Sequence, residues 1–152
     1  EMQADVDIIA VPGVTAASAA AAVLGAPLMH DFAVISLSDC MTPLELIWRR
    51  VSLAAEADFV ICLYNPKSRS RTEYLAQAAV LIGQHRSPDT PVGIVRNAGR
   101  AEEKAWITTL KKLPEEPVDM FCVVLIGNSQ TYVQNGKMIT PRGYCIHPET
   151  QV

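Results

Sequence analysis

Apolar positions along this chain fall into short blocks whose period switches between that of a strand and that of a helix. Residues 6–11 form a β-favouring apolar run closed by Pro12-Gly13, which predicts a strand and a sharp turn. The small residues from Thr15 to about Leu24 predict a helix, capped by Thr15 or Ser18 and ended by Gly25 and Pro27. Residues 32–38 alternate apolar and polar, a second strand. Thr42-Pro43-Leu44-Glu45 then reads as a capping box with Pro at the first helical position. It opens a helix to about Glu56, with Leu46, Ile47, Val51 and Ala54 on the inner face. The near-continuous apolar run 58–64 predicts a strand covered on both sides. A helix from Glu73 to about Gln84 follows, with Leu75, Ala78, Ala79 and Ile82 inward. Strands are expected at 92–95, 106–109 and 119–126, with a helical turn at 110–113 and an edge strand at 130–133. The tail after Tyr144 reads as irregular.

This alternation predicts an α/β protein: a layered αβα domain around a mixed, mostly parallel five-stranded sheet, with any antiparallel strands near the end. Three loops follow strands, at 12–18, 64–71 and 96–104. Parallel strands deliver such loops to one sheet edge, where ligands of open α/β sheets bind. Taken singly, each loop is an ordinary turn; together they make that edge the candidate site. The helix that starts at Thr15 carries almost no side-chain bulk at Ala16, Ala17 and 19–22, so a ligand can approach its backbone N–H groups.

Composition narrows the function classes. The chain has 152 residues, 49% hydrophobic and 19% charged, enough for one core. A net charge of −3 gives no electrostatic case for nucleic acid as a partner. Cys40, Cys62, Cys122 and Cys145 are scattered, with no C-x-x-C pair and no His at zinc spacing, so neither a disulfide framework nor a metal site is expected. Cys62 and Cys122 lie in apolar runs and read as core residues. No apolar run reaches the length of a membrane span and no signal peptide is evident, so the expected location is the cytoplasm, with no membrane partner. The chain starts at Glu1 without Met and enters its first apolar run at once, which reads as a piece of a longer protein. G-x-S-x-G, Walker and G-x-G-x-x-G motifs are absent, and His30, His85 and His147 lie near no evident nucleophile. No catalytic residue is assigned. A cofactor that brings its own reactive atom suits such a chain.

Val11-Pro12-Gly13-Val14-Thr15-Ala16-Ala17-Ser18 with Gly25-Ala26-Pro27-Leu28 resembles the second-half signature of the tetrapyrrole methylase family. Leu63-Tyr64-Asn65-Pro66-Lys67-Ser68, Val95-Arg96-Asn97-Ala98-Gly99-Arg100, Ile126-Gly127-Asn128-Ser129 and Thr140-Pro141-Arg142-Gly143-Tyr144 resemble its C17-methylating branch, and the likeness runs from about Val6 to Tyr144. The Asn65 that follows Tyr64 stands where other members carry Met. The resemblance implies transfer of a methyl group from S-adenosylmethionine to C17 of a precorrin-3B-type ring, or its cobalt form, with ring contraction, in cobalamin synthesis; S-adenosylhomocysteine is the other product. It implies a two-domain fold with the cofactor between the domains, of which residues 1–152 are the carboxyl-terminal one. The amino-terminal domain, with its Gly-Pro-Gly and Gly-Asp-Pro loops, is absent from the chain, which is expected to be inactive alone. A homodimer is also implied.

Carried over position by position, the resemblance assigns cofactor contacts to Thr15, Ala16, Leu63, Tyr64, Asn65, Ala98, Thr140 and Pro141. Substrate carboxylates suggest a role for the cations that follow the site strands: Lys67, Arg69, Arg71, Arg96 and Arg100. For any one of them, a solvated loop charge is the simpler reading. Two other classes stay open: a non-catalytic α/β dimerisation or binding domain, and another nucleotide-binding α/β enzyme. The absent phosphate-loop motifs weigh against the latter.

Overall fold

A computed structural model describes residues 7–29 and 31–143. Its strands, in chain order, are β1 (Gly25–Ala26), β2 (Phe32–Ser36), β3 (Val60–Tyr64), β4 (Pro91–Arg96), β5 (Lys104–Thr109), β6 (Cys122–Ile126), β7 (Tyr132–Gln134) and β8 (Lys137–Ile139). The helices are α1 (Ala16–Leu24), α2 (Leu44–Glu56) and α3 (Tyr74–Gly83), with a 3-10 turn at Leu113–Glu115.

The central sheet has five strands in the order β2-β3-β6-β4-β5. Period-two alternation splits its side chains between two cores. Ile61, Leu63, Val92, Ile94, Val124 and Ile126 face α2 and α3. Cys62, Val95, Val123 and Leu125 face α1 and Met138 of β8. The αβα layering and the mixed five-stranded sheet are as expected. The inward residues of α3 are the four foreseen: Leu75, Ala78, Ala79 and Ile82. On α2, however, Leu46 stays 38% exposed, and Ala55 is buried instead.

The parallel share of the sheet is smaller than expected. Only β2 and β3 pair parallel. The β3–β6, β6–β4 and β4–β5 ladders are antiparallel. Residues 97–103 are too short a connection for a parallel crossover, so β5 must fold back along β4. β2, β3 and β4 therefore point one way, and their carboxyl ends share an edge. The amino end of antiparallel β6 arrives at the same edge.

Three further expectations are corrected. Residues 7–15 form no strand: Ile8 is 93% exposed and Ile9 and Val11 are each 82% exposed, so the apolar run finds no ladder and no core within the described residues. The capping box on α2 does not form. Pro43, extended at φ −55° and ψ 135°, holds the N-cap position and has no side-chain acceptor. Its carbonyl instead accepts from Leu46 and Ile47 N–H. The polar stretch after β6 is a hairpin of β7 and β8 with Asn135-Gly136 at its tip, where both residues take positive φ. That turn chemistry favours a tight hairpin. β8 also pairs in parallel with β1, closing a second sheet of three strands. His30, Tyr144, Cys145 and His147 lie outside the described residues.

Gly93 sets how closely α1 lies on the sheet. A Cβ built there would fall 2.4 Å from Leu24 Cδ1, at the last turn of α1. The absence of a side chain lets Leu24 drop into β4, which seats the whole helix.

Candidate functional site

Thr15, at φ −71° and ψ 153°, caps α1 with its own hydroxyl, which accepts from Ala17 N–H at 3.1 Å. The same N–H donates to the Tyr64 hydroxyl at 2.7 Å, and the two hydroxyls lie 3.1 Å apart. The end of β3 is thus tied to the start of α1. Small residues make this approach feasible, because the first turn of α1 has nothing larger than Ala and Ser.

Beyond Tyr64 the chain turns at Asn65, held at φ 49°, with Nδ2 donating to Ser36 Oγ at 2.9 Å. Beyond β4 it turns at Asn97, at φ 55°, whose N–H donates to the Phe121 carbonyl at 3.1 Å. Asn tolerates this left-handed backbone better than most residues. The two turns flank the amino end of β6. Between them lies a cleft of about 250 Å³ lined by Ala16, Tyr64, Asn65, Asn97, Ala98, Arg100 and the stretch Met120, Phe121, Cys122 and Val123.

Ala16, Tyr64, Asn65 and Ala98 thus meet in one cleft, and Thr15 touches it through Tyr64. Leu63 is fully buried with its side chain in the α2–α3 core, leaving only its main chain toward the edge. Thr140 and Pro141 do not line the cleft. The Thr140 hydroxyl donates to the Pro27 carbonyl at 2.7 Å and lies 2.8 Å from Thr131 Oγ1, so it knits β8 to the chain beyond β1.

The cations divide. Arg71 is already engaged: Nη1 meets Asp39 Oδ1 at 3.1 Å and Ser38 Oγ at 3.0 Å. Tyr74 also donates to Asp39, at 2.8 Å. The Tyr74 hydrogen bond, followed by that of Arg71, holds the Asp39 carboxyl below its usual range. Arg96 is engaged too, through Nε to Asp119 Oδ2 at 2.9 Å. Partial burial alone pushes the Asp119 carboxyl up, but hydrogen bonds from Arg96, Cys122 and the Phe121 N–H outweigh it and hold it low. Arg100 lines the cleft, and Lys67 and Arg69 sit in the loop after β3; no ion pair joins any of the three among the described residues.

The stretch Met120–Val123 was not legible as part of the site, because it enters on an antiparallel strand. The short β4–β5 connection was the available signal that directions change after Arg96. A larger apolar concavity, about 860 Å³, lies along edge strand β2 and helix α2, away from these residues. Among the described residues no cluster of His, Cys, Asp or Glu is placed to hold a metal ion. None of their helices is long and apolar enough to cross a membrane.

Residues 1–114 match the family described as Tetrapyrrole (Corrin/Porphyrin) Methylases. The chain is 56% identical over 142 residues to a probable cobalt-factor III C(17)-methyltransferase of Salmonella typhimurium, covering 93% of this chain and 59% of that protein. It is 43% identical to a precorrin-3B C(17)-methyltransferase of Sinorhizobium sp, with 91% of this chain and 57% of the relative covered. A crystal structure of the methyltransferase CobJ superposes with a TM-score of 0.82 at 36% identity, over 91% of this chain and 58% of that one. The chain thus spans less than two thirds of the length of these relatives, and the family match rests on three quarters of its own residues. On that match the chain belongs to the tetrapyrrole (corrin/porphyrin) methylases.

Proposed function

We propose that this chain is the carboxyl-terminal part of a methyltransferase that moves a methyl group from S-adenosylmethionine to C17 of cobalt-factor III or precorrin-3B, with ring contraction, in cobalamin synthesis. The observation that carries this reading is the cleft where the start of α1 meets Tyr64, Asn65 and Ala98. Its volume, about 250 Å³, falls short of the ~300–1,000 Å³ that encloses a whole small ligand, as half of a shared site should. The missing wall is assigned to an amino-terminal domain carried by the longer protein.

Sulfonium methyl transfer is an in-line displacement that neutralises the donor, so the protein's task is to align donor and carbon and to exclude water. Backbone groups at Ala16, Asn65 and Ala98 suit that task, being fixed by the Tyr64 tie and by the two Asn turns. Arg100, in the cleft, and Lys67 and Arg69, in the loop after β3, are the candidates to meet ring carboxylates; Arg71 is not, since Asp39 holds it.

The family resemblance also favours a cytoplasmic homodimer. In support of the dimer, edge strand β2 carries no charge or proline, leaves Phe32 43% and Val34 47% exposed, and borders the apolar groove. Unguarded edges of this kind pair with other chains.

The test is methyl transfer from labelled S-adenosylmethionine to cobalt-factor III by the full-length protein, alongside calorimetric titration with S-adenosylhomocysteine. Saturable binding with C17 methylation supports the reading. Binding of neither compound refutes it.

A further inference from the structure

We propose that Met120 and Phe121 form an apolar floor for one face of the tetrapyrrole ring and that Arg96 is a positioning residue that holds this floor in place; the proposal rests on the methyltransferase reading above. Met120 is 59% and Phe121 55% exposed, yet both line the cleft that holds Ala16, Asn65 and Ala98. Large apolar groups left open inside a concave site mark a surface meant to be covered.

Phe121 is exposed but fixed. Its N–H donates to Asp119 Oδ1 at 2.9 Å and its carbonyl accepts from Asn97 N–H at 3.1 Å. The Arg96 guanidinium lies 5.7 Å from the ring centroid and is itself locked to Asp119. A cation over an aromatic face is attractive, so Arg96 steadies the ring from one side. A platform fixed before binding loses little entropy when its ligand arrives. Met120 beside it is a flexible, polarisable filler suited to an irregular face.

One occupant fits both the apolar surface and the charge at its border. A conjugated macrocycle with carboxylate arms presents a flat apolar face to Phe121 and Met120 and an anionic periphery to Arg100 in the same cleft. The ring edge then shares this cleft with the methyl donor, with Met120 and Phe121 under the ring and Ala16, Asn65 and Ala98 beside the donor. Arg96, committed to Asp119 and Phe121, acts on the substrate only through Phe121.

The experiment uses the full-length protein and compares two constants: Kd for S-adenosylhomocysteine by calorimetry and KM for cobalt-factor III by its absorbance. Phe121→Ala should raise the ring's KM about tenfold or more while the S-adenosylhomocysteine Kd moves less than twofold. Phe121→Trp should bring KM back to within about threefold, and Arg96→Gln should give a smaller rise in the same parameter. Met120→Ala supplies an independent reading should Phe121→Ala fail to fold; it should raise KM severalfold. An unchanged KM in these variants overturns the floor. So does an equal loss in both constants together with a fall in thermal midpoint, which would mean that the pair packs against the rest of the longer protein. If the unaltered protein binds neither compound, the failure lies with the methyltransferase reading.

Discussion

Replacing Gly93 by Ala tests whether close packing of α1 on β4 sets the position of the candidate site. The added Cβ would meet Leu24 Cδ1 at 2.4 Å, Cδ2 at 2.9 Å and Cγ at 3.1 Å. Leu24 is only 3% exposed, in a core with Ala17, Ala20, Val95 and Met138, so its side chain has little room to swing aside. Overpacking a filled core costs roughly 1–3 kcal/mol. Taking about 2 kcal/mol, the thermal midpoint of a chain this size should fall by about 4–8 °C. Leu24→Ala alone should cost roughly 2–5 kcal/mol by leaving a cavity. In the double variant the new methyl group occupies part of that cavity. The double cost should therefore fall short of the sum of the single costs by about 1 kcal/mol or more, measured by urea unfolding. Strict additivity would refute the argument, because it would mean that residues 24 and 93 do not share space.

Arg86→Met should lower stability by about 2–3 kcal/mol in the same assay: it frees the Ala55 carbonyl, bonded at 2.6 Å, and removes the ion pair with half-exposed Asp58 at 2.9 Å. An unchanged unfolding midpoint would show that the staple between the end of α2 and the loop before β4 carries no weight. Cys40 should alkylate well before Cys62 and Cys122 in a Cys145→Ser background, followed by mass spectrometry of the modified peptides. It is exposed, with its pKa lowered by the Ser38 hydrogen bond and then by Arg71, whereas burial pushes Cys62 up to about 12 and Cys122 up to about 11. Equal rates would contradict that. Asp39 and Asp119 both have folded pKa values below the unfolded value, so their contribution is complete above about pH 5 and is lost as pH falls through the folded pKa, below about pH 4. The double Asn variant should therefore show a shallower loss of stability between pH 5 and 2, and a parallel curve would count against both carboxylate networks.

Local patterns in the sequence carried most of the fold. The burial of α3, the capping of α1 by Thr15 and the doubly covered strands β3 and β6 all follow from period and turn chemistry. What local patterns do not carry is direction. Nothing in the apolar run of β6 says that it lies antiparallel between β3 and β4, and so Met120 and Phe121 did not declare themselves as site residues. The hairpin at Asn135-Gly136 was readable from its turn dipeptide, but its strands are too short and polar to show a period. Residues 7–15 illustrate the converse: β propensity gives no strand where no ladder partner stands among the described residues. Among the cations, spacing after a strand brought Arg71 and Arg96 to the site edge, but the fold pairs them with Asp39 and Asp119, which lie 32 and 23 residues away in the sequence.

Whether the start of α1 and the turns after β3 and β4 form one nucleoside-binding wall can be read directly by amide-resolved NMR of the full-length protein titrated with S-adenosylhomocysteine. The account predicts saturable shifts clustered at the amides of Ala16, Ala17, Asn65 and Ala98, with those of Ser87, Asp89 and Thr90 at the opposite sheet edge unmoved. Binding that shifts the second group, or that leaves the first silent, would contradict it.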